Sequence, residues 1–245
     1  TVDGVGAAEP AGPFSWAHRA EAACDLWVEH GGVVIASATH DGFRRAGLSA
    51  ACRRTVVLVA PSLWIVRDEL DVTGTHSLEV HWQCAPGITP RREGAVWGLH
   101  RDGAEVAQLL VDENVEWSEQ LSAVAATYGV RLPAPRLTAS SRRNGRQALT
   151  TVIASTPGPT RVERTAGPET GAVVRWGDRQ GILMSPGGVA AGVETDARVA
   201  WIELNQDGEA LLVVAAGSTR LLVSGTRVPV REDGAAYWHR DHGWR

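Results

Sequence analysis

The chain has 245 residues, 44% hydrophobic and 21% charged, the balance of a folded protein with a hydrophobic core. Its net charge is −4 and all 24 basic residues are arginine, so it lacks the basic surface that nucleic-acid binding needs. The longest apolar runs span about six residues, far short of a transmembrane helix. We therefore expect neither nucleic acid nor a membrane as a partner.

The first residues predict the end of a strand that runs into a tight turn. In the opening TVDG, Asp3 and Gly4 are the residue types that form such turns. We expect a further segment to precede Thr1. Downstream, Ala20, Ala23 and Trp27 fall at helical spacing, so the residues alone predict a helix over Ser15–Val28.

The rest of the chain shows short apolar or alternating runs broken by Gly, Asp and Pro every 8 to 12 residues or so, a pattern typical of all-β proteins. In SLEVHWQ, Leu78, Val80 and Trp82 alternate with Glu79 and His81. The predicted strands are Thr55–Ala60, Leu63–Leu70, His76–Cys84, Ala95–His100, Ala104–Val111, Ala148–Ala154, Gly171–Trp176, Ile182–Ser185, Val199–Leu204, Glu209–Ala216, Arg220–Ser224 and Thr226–Val230.

Two stretches are predicted as connectors, Gly129–Arg146 and Thr156–Gly171. Within the first, the three arginines of Ser140–Arg146 indicate either a solvated loop or an anion site. The connectors divide the chain into a main β-sandwich over residues 1–155 and additional β-hairpins over residues 156–245 that complete or extend it. The predicted fold is a large antiparallel β-sandwich of the supersandwich kind.

Histidines are the first candidates for chemistry. His40 ends a strand in HDG and is either a general base or metal ligand, or part of a simple turn. His76 and His81 are five residues apart on one strand, so they face opposite sides and cannot share a metal ion. His239, Asp241 and His242 form either a transition-metal site or a polar tail.

Other chemical motifs are missing from the sequence. It contains no GxSxG elbow, and Gly187-Gly188 lacks the residues of a phosphate-binding loop. Cys24, Cys52 and Cys84 show no metal-binding spacing and are either one disulfide with a free thiol or three buried thiols. Ten tryptophans are most simply core residues, with Trp16 and Trp238 the first candidates for exposed ligand contacts.

An ordered series of segments resembles the C-terminal β-sandwich region of heparinase II/III-like polysaccharide lyases. The resemblance runs from Thr1 to about Ala154. Its segments are TVDGVGAAEPAGPFSW at residues 1–16, HDGFRRAGLSAACRRTVVLVAPSLWIVRDEL at 40–70, GTHSLEVHWQCAPG at 74–87 and TYGVRLPAPRL at 127–137.

The resemblance implies strand rather than helix over Ser15–Val28. It also implies an α/α-toroid catalytic domain upstream, with the general base and acid and an HNT segment whose His helps to hold a metal ion. No residue of this chain matches those positions, so none receives a catalytic or metal-binding role. The implied cofactor is a zinc-like metal ion in the upstream part only.

Such lyases abstract the C5 proton of a uronic acid and expel the C4 substituent, which leaves an unsaturated sugar. The resemblance thus implies an acidic polysaccharide as partner, with this chain supporting the substrate cleft and inactive alone. Residues close in sequence to the metal segment are the candidates for substrate binding: Glu9, Trp16, His18 and Arg19. Two alternatives remain, a free-standing carbohydrate-binding sandwich that uses exposed Trp, and a purely structural module.

Overall fold

A computed structural model describes residues 1–44, 47–48, 51–111, 115–155, 160–164 and 172–244. The elements that pair into sheets in these ranges are all β-strands, and every strand pair whose register is defined there is antiparallel, which confirms the predicted all-β class. No helix in the described ranges is long and apolar enough to cross a bilayer. Of the connector predicted over Thr156–Gly171, residues 160–164 form a strand, so the prediction is wrong there, and the rest lies outside the described residues.

Thirteen strands precede residue 155. They are β1 (Glu9–Gly12), β2 (Ser15–His18), β3 (Ala22–His30), β4 (Val33–His40), β5 (Ala51–Val59), β6 (Leu63–Asp71), β7 (Thr75–Gln83), β8 (Thr89–Glu93), β9 (Val96–Arg101), β10 (Ala104–Val111), β11 (Glu116–Thr127), β12 (Val130–Asn144) and β13 (Gln147–Ala154).

Ten further strands follow. They are β14 (Thr160–Arg164), β15 (Ala172–Trp176), β16 (Arg179–Met184), β17 (Val189–Ala190), β18 (Val193–Thr195), β19 (Val199–Leu204), β20 (Ala210–Ala216), β21 (Leu221–Val223), β22 (Thr226–Val228) and β23 (Ala236–His239).

The strands form five sheets. Their orders are β1-β2, β3-β4-β5-β6-β13-β10-β9-β8, β11-β12-β7, β14-β15-β16-β19-β20-β23 and β17-β18-β21-β22. The chain divides into two compact units. The first unit contains Thr1–Asp25, Ser37–Thr55 and Val66–Thr151, and the second contains Leu26–Ala36, Val56–Ile65 and Val152–Arg245. The division predicted at residue 155 stays a prediction.

The helix predicted from residue spacing over Ser15–Val28 is wrong. This stretch forms β2 and β3, with Arg19–Glu21 between them, in agreement with the resemblance. Helical propensity is a weak local preference, and pairing with neighbouring strands overrides it. Leu26 and Val28 are buried while Trp27 is exposed, an alternation that only a strand produces.

The connector predicted over Gly129–Arg146 is also wrong, because residues 130–144 form the longest strand among the described residues. Pro133 and Pro135 suggested a loop, since proline cannot donate a hydrogen bond. The carbonyl of Pro135 accepts from Cys84, on the side away from β11, so the missing N–H also points to that side. On that side β7 pairs with β12 only from Arg136 onward. The missing N–H groups of the two prolines therefore fall outside the paired part of the strand, and both prolines are tolerated.

Buried charges mark β6 in the first unit. Arg67, Asp68 and Glu69 are each less than a tenth exposed, in a strand whose other residues are apolar except for the terminal Asp71. Each finds a partner: Asp68 pairs with Arg54, and Glu69 pairs with Arg67 and with Arg146. Arg146 is therefore part of an ion pair, and Ser140–Asn144 is strand rather than the predicted loop.

In the second unit β19 and β20 are buried on both faces. Trp201 and Val214 belong to one apolar cluster, while Ile202 and Val213 belong to another. Trp201 packs against Trp176 with the ring centroids 5.8 Å apart. Gly181 lies on the neighbouring β16, where a Cβ atom would stand 2.2 Å from Cζ2 of Trp201, so this position excludes any larger residue.

Candidate functional site

The N-terminal residues form the turn that the sequence predicts. Val2 and Val5 exchange both backbone hydrogen bonds, at 3.0 and 2.8 Å. Asp3 and Gly4 between them have φ values of 49° and 76°, the two positive values of a type I′ turn. Val2 is fully buried and forms a bridge with Leu78 of β7, which brings Thr1 beside Glu79.

Beside Thr1 lies a cavity of about 280 Å³ in the first unit, which we call the His40 cavity. Five separate stretches of sequence contribute to it, the N-terminal residues and one stretch at each of the strands β4 to β7, and these strands position its polar groups. Its walls include Thr1, Ala7, His40, Phe43, Cys52, Arg54, Asp68 and Glu79.

His40 is the last residue of β4, as the sequence predicts, and a turn follows. Its Nδ1 accepts a hydrogen bond from the backbone N–H of Gly42 at 3.2 Å, so the neutral ring carries its proton on Nε2. Burial and the positive charge of Arg54 lower the pKa of His40, which is therefore neutral at pH 7. The ring of Phe43 packs against the imidazole with the two ring centroids 5.2 Å apart.

The charged groups of the His40 cavity are already engaged. Arg54 binds both carboxylate oxygens of Asp68, at 2.7 and 3.0 Å. The hydroxyl of Thr1 donates to Glu79, and the amino group of Thr1 donates to the backbone carbonyl of the same residue. Burial, with the negative charge of Asp68, raises the pKa of the Cys52 thiol to about 11, which makes it a poor nucleophile.

This arrangement does not by itself fit a metal ion. In the described part of the chain no three His, Cys, Asp or Glu side chains are grouped to hold one. Within the cavity, the oxygens of Asp68 are occupied by Arg54, and the Cys52 thiol keeps its proton at neutral pH. In the imidazole of His40, Nδ1 accepts the hydrogen bond from Gly42, whereas Nε2 takes part in none of these interactions.

Sequence reasoning singled out His40 but missed the residues that surround it. Cys52, Arg54, Asp68 and Glu79 come from three other strands, and their meeting depends on strand order in the sheets. One signal was present in the sequence. Three consecutive charged residues, RDE at 67–69, interrupt an apolar strand, and charges in such a strand are buried only where partners exist.

The residues predicted to bind substrate gather on the small β1–β2 sheet of the first unit. Glu9 lies directly opposite His18, and Trp16 lies opposite Pro10. Trp16 is 58% exposed, and Arg19 follows the end of β2 and is exposed. The structure thus brings three of the four residues onto one hairpin, and their role stays a prediction.

His18 has an unusual feature. Its Nε2 atom is buried and has no hydrogen-bond partner within the described residues. A buried polar atom without a partner costs about 1–3 kcal/mol. A group from outside the described chain would remove this cost by bonding to Nε2.

The other histidine candidates separate into different roles. His76 and His81 are on opposite faces of β7, as predicted: His76 binds Asp3, whereas His81 contacts Thr138 and lies near Glu79. The rings of His239 and His242 are stacked 4.9 Å apart at an angle of 24°. The lone pairs of an imidazole lie in its ring plane, and two nearly parallel planes that stand apart share no point at which both rings could bind one metal ion.

The cysteines and tryptophans divide between core and surface. None of the three cysteines forms a disulfide; Cys52 and Cys84 are buried, but Cys24 is exposed, contrary to the prediction of three buried thiols. Trp97, Trp176 and Trp201 are core residues. Trp16 is exposed as proposed, together with Trp27, Trp64 and Trp244, while Trp238 is partly buried.

Comparisons with known proteins agree with the all-β fold. The family described as "Heparinase II/III-like, C-terminal" matches residues 1–201. Heparan sulfate lyase HepC from Pedobacter heparinus superposes with a TM-score of 0.55 at 14% identity, over 68% of this chain and 28% of that chain. A heparinase III, the BT4657 gene product, superposes with a TM-score of 0.51 at 16% identity, over 66% of this chain and 26% of that chain.

These similarities define an all-β sandwich of the kind found in polysaccharide lyases. The chain belongs to the heparinase II/III-like C-terminal family. It spans about a quarter of the length of the two solved structures. No curated protein sequence matches it.

Proposed function

We propose that this chain is the C-terminal β-sandwich of a uronic-acid polysaccharide lyase, and that it supports the substrate cleft without supplying a catalytic residue. The observation that carries the proposal is the family match over residues 1–201, which extends through both the His40 cavity and the β1–β2 hairpin. In this proposal the catalytic partner is an upstream α/α-toroid domain of the full-length protein, and the substrate is an acidic polysaccharide.

The reaction sets the requirements for the cleft. Removing the C5 proton of a uronate needs neutralisation of its carboxylate, a base near C5 and an acid near the leaving C4 oxygen. In this proposal the chain supplies none of these groups. Its part is to bind and orient the polysaccharide, with the base, acid and metal ion assigned to the upstream domain.

The His40 cavity supports this division of roles. Thr1 lines the cavity, so any residue that precedes Thr1 in a longer protein enters beside it. His40 presents a neutral imidazole there, and Arg54 and Asp68 hold the adjoining wall through a two-point ion pair. The cavity is thus a receptor for the upstream segment rather than a complete active site.

The β1–β2 hairpin supports polysaccharide contact. Trp16 offers an exposed aromatic face for a sugar ring. The guanidinium of Arg19 suits a carboxylate or sulfate, because its fork binds two oxygens at once. Glu9 lies opposite His18 in the hairpin and adds a carboxylate to the edge of this surface.

The test compares a longer protein that includes the upstream domain with this chain alone. Each is incubated with heparan sulfate, hyaluronan, alginate and chondroitin sulfate, and the ultraviolet absorbance of unsaturated uronate is followed. We expect product from the longer protein on at least one substrate and none from the chain alone. If neither protein forms unsaturated product from any of the four substrates, the lyase proposal is contradicted. Product formed by the chain alone would contradict its supporting role.

A second candidate function is a free-standing carbohydrate-binding module. The specific observation in its favour is the exposure of Trp16, Trp27, Trp64 and Trp244. This alternative predicts that the isolated chain binds oligosaccharides through these side chains without any upstream residue. The binding-module function would be favoured over the lyase if the isolated chain binds oligosaccharides and the longer protein forms no product in the absorbance assay.

A further inference from the structure

A second cavity, of about 390 Å³, lies wholly within the second unit, and we call it the His239 cavity. Its walls come from the end of β3, from β19 and β20, and from β23 with the turn that follows it. All but two of its lining residues come after residue 201, where the family match ends. Its lining includes His30, Glu203, Tyr237, Trp238, His239 and His242.

Five of the residues that line this cavity carry aromatic or imidazole rings. His30 stacks on Tyr237 with ring centroids 4.0 Å apart and an angle of 22°, and His239 stacks on His242. Trp238 is partly buried and packs against the apolar cluster behind it. The cavity therefore presents flat faces that are already held in place by stacking.

Backbone hydrogen bonds hold the turn after β23. The N–H of His239 donates to the carbonyl of Gly243 at 2.8 Å, and the N–H of Arg240 donates to Leu211 at 2.9 Å. The Arg240 side chain reaches the carbonyl of Ala210 at 3.1 Å. His239 and His242 thus project from a fixed support, which limits the entropy lost when a ligand binds.

Two polar groups of the cavity, Glu203 and His30, add no net charge to it. Glu203 is paired with Arg179 through three contacts of 2.8 to 3.1 Å, so its charge is compensated while its oxygens keep accepting capacity. Burial, with the charge of Arg231, lowers the pKa of His30 and keeps its ring neutral. Nδ1 of His239 accepts from the N–H of Asp241, so Nε2 of this ring carries a hydrogen to donate.

We infer that the His239 cavity is a binding site for one or two saccharide rings, separate from the β1–β2 hairpin. Its volume is at the small end of the roughly 300–1,000 Å³ range of ligand sites. A pyranose ring has apolar C–H faces that pack on aromatic rings, and hydroxyl groups that donate to Glu203 and accept from imidazole N–H. The choice of a saccharide among ring-shaped ligands rests on the proposed function.

The test uses NMR of the histidine ring protons in the 245-residue chain, with a heparan sulfate tetrasaccharide and a hyaluronan tetrasaccharide as probes. We expect saturable shifts of the His30, His239 and His242 signals with at least one probe. Since His242 is on the exposed turn, His242→Ala leaves the core intact, and we expect at least tenfold weaker binding.

The matched control is Trp244→Ala, which removes an exposed ring from the same turn but not from the cavity wall. It should leave the affinity within twofold of the unchanged chain. The inference is overturned if neither probe shifts these three histidines, or if both variants weaken binding equally. Its failure is distinct from failure of the lyase proposal, because the absorbance assay measures product from the longer protein and does not depend on this cavity.

Discussion

The imidazole of His76 lies 2.7 Å, Nδ1 to Oδ2, from the carboxylate of Asp3, which joins the N-terminal turn to β7. The other carboxylate oxygen accepts from the backbone N–H of Ser77, and Nε2 of His76 lies 3.0 Å from the carbonyl of Thr73. Both imidazole nitrogens therefore donate, which is the hydrogen bonding of a protonated ring. This pair holds Thr1 at the edge of the His40 cavity.

The Asp3–His76 pair predicts a pH dependence. The hydrogen bond that His76 donates to Asp3 raises the pKa of His76 above 6.5, and the same bond lowers the pKa of Asp3 below 3.8. The contribution of His76 is complete below pH 6.5 and is lost as the pH rises through its raised pKa. The contribution of Asp3 is present above pH 3.8 and is lost as the pH falls through its lowered pKa.

Replacement of Asp3 by Asn should therefore move the pKa of His76 back toward 6.5, as followed by NMR of its ring protons. Asp207→Asn changes an exposed carboxylate in a different turn and is the control. An unchanged pKa of His76 in the Asp3→Asn variant would show that the Asp3 carboxylate does not bind the ring in solution.

Gly42 is predicted to tolerate no side chain. A Cβ atom at this position would lie 2.4 Å from the backbone oxygen of Ala7, so the segment beside the His40 cavity would have to move. We expect Gly42→Ala to lower the free energy of unfolding by about 1–3 kcal/mol, measured by urea denaturation. Gly12→Ala, whose Cβ would meet only the Ser15 hydroxyl at 3.4 Å, should change it by less than about 0.5 kcal/mol.

The second unit offers a parallel test at Gly181. Since Trp201 is fully buried and packed on Trp176, it cannot move away from a new methyl group. Gly181→Ala should cost about 3 kcal/mol of unfolding free energy and should alter the near-ultraviolet circular dichroism of the tryptophans. Gly188→Ala, with its nearest neighbour the flexible Met184 side chain at 3.6 Å, is the control; equal effects of the two changes would contradict this packing.

The cysteines should react at very different rates. Cys24 is exposed, whereas Cys52 and Cys84 are buried and burial raises the pKa of both thiols. We expect a thiol reagent at pH 8 to modify one cysteine per native chain and three after unfolding, as counted by mass spectrometry. Rapid modification of Cys52 in the native chain would show that the His40 cavity wall opens.

Trp16 is predicted to contribute to substrate binding rather than to the stability of the fold. Because its side chain is 58% exposed, Trp16→Ala should change the free energy of unfolding by less than about 0.5 kcal/mol. In the longer protein we expect KM for the cleaved polysaccharide to rise at least fivefold. Phe14→Ala, at an 86% exposed position of the same hairpin, is the control, and an equal rise in KM for both variants would remove Trp16 from the substrate surface.

The sequence by itself determined the features that depend on neighbouring residues. Alternation in SLEVHWQ predicted that Leu78 and Val80 share the buried face of β7, because side chains of a strand point alternately to its two sides. Asp3-Gly4 and Asp102-Gly103 predicted tight turns, because these residue types tolerate the positive φ values found there. The ordered series of segments predicted the family.

Only the tertiary structure decided features that depend on residues far apart in the chain. Residues 130–144 are a strand because β11 and β7 pair with them, despite Pro133 and Pro135. His40, Arg54, Asp68 and Glu79 surround one cavity because strand order brings four segments together. The physical reason is that a β-sheet is held by non-local hydrogen bonds, which local propensity and spacing do not encode.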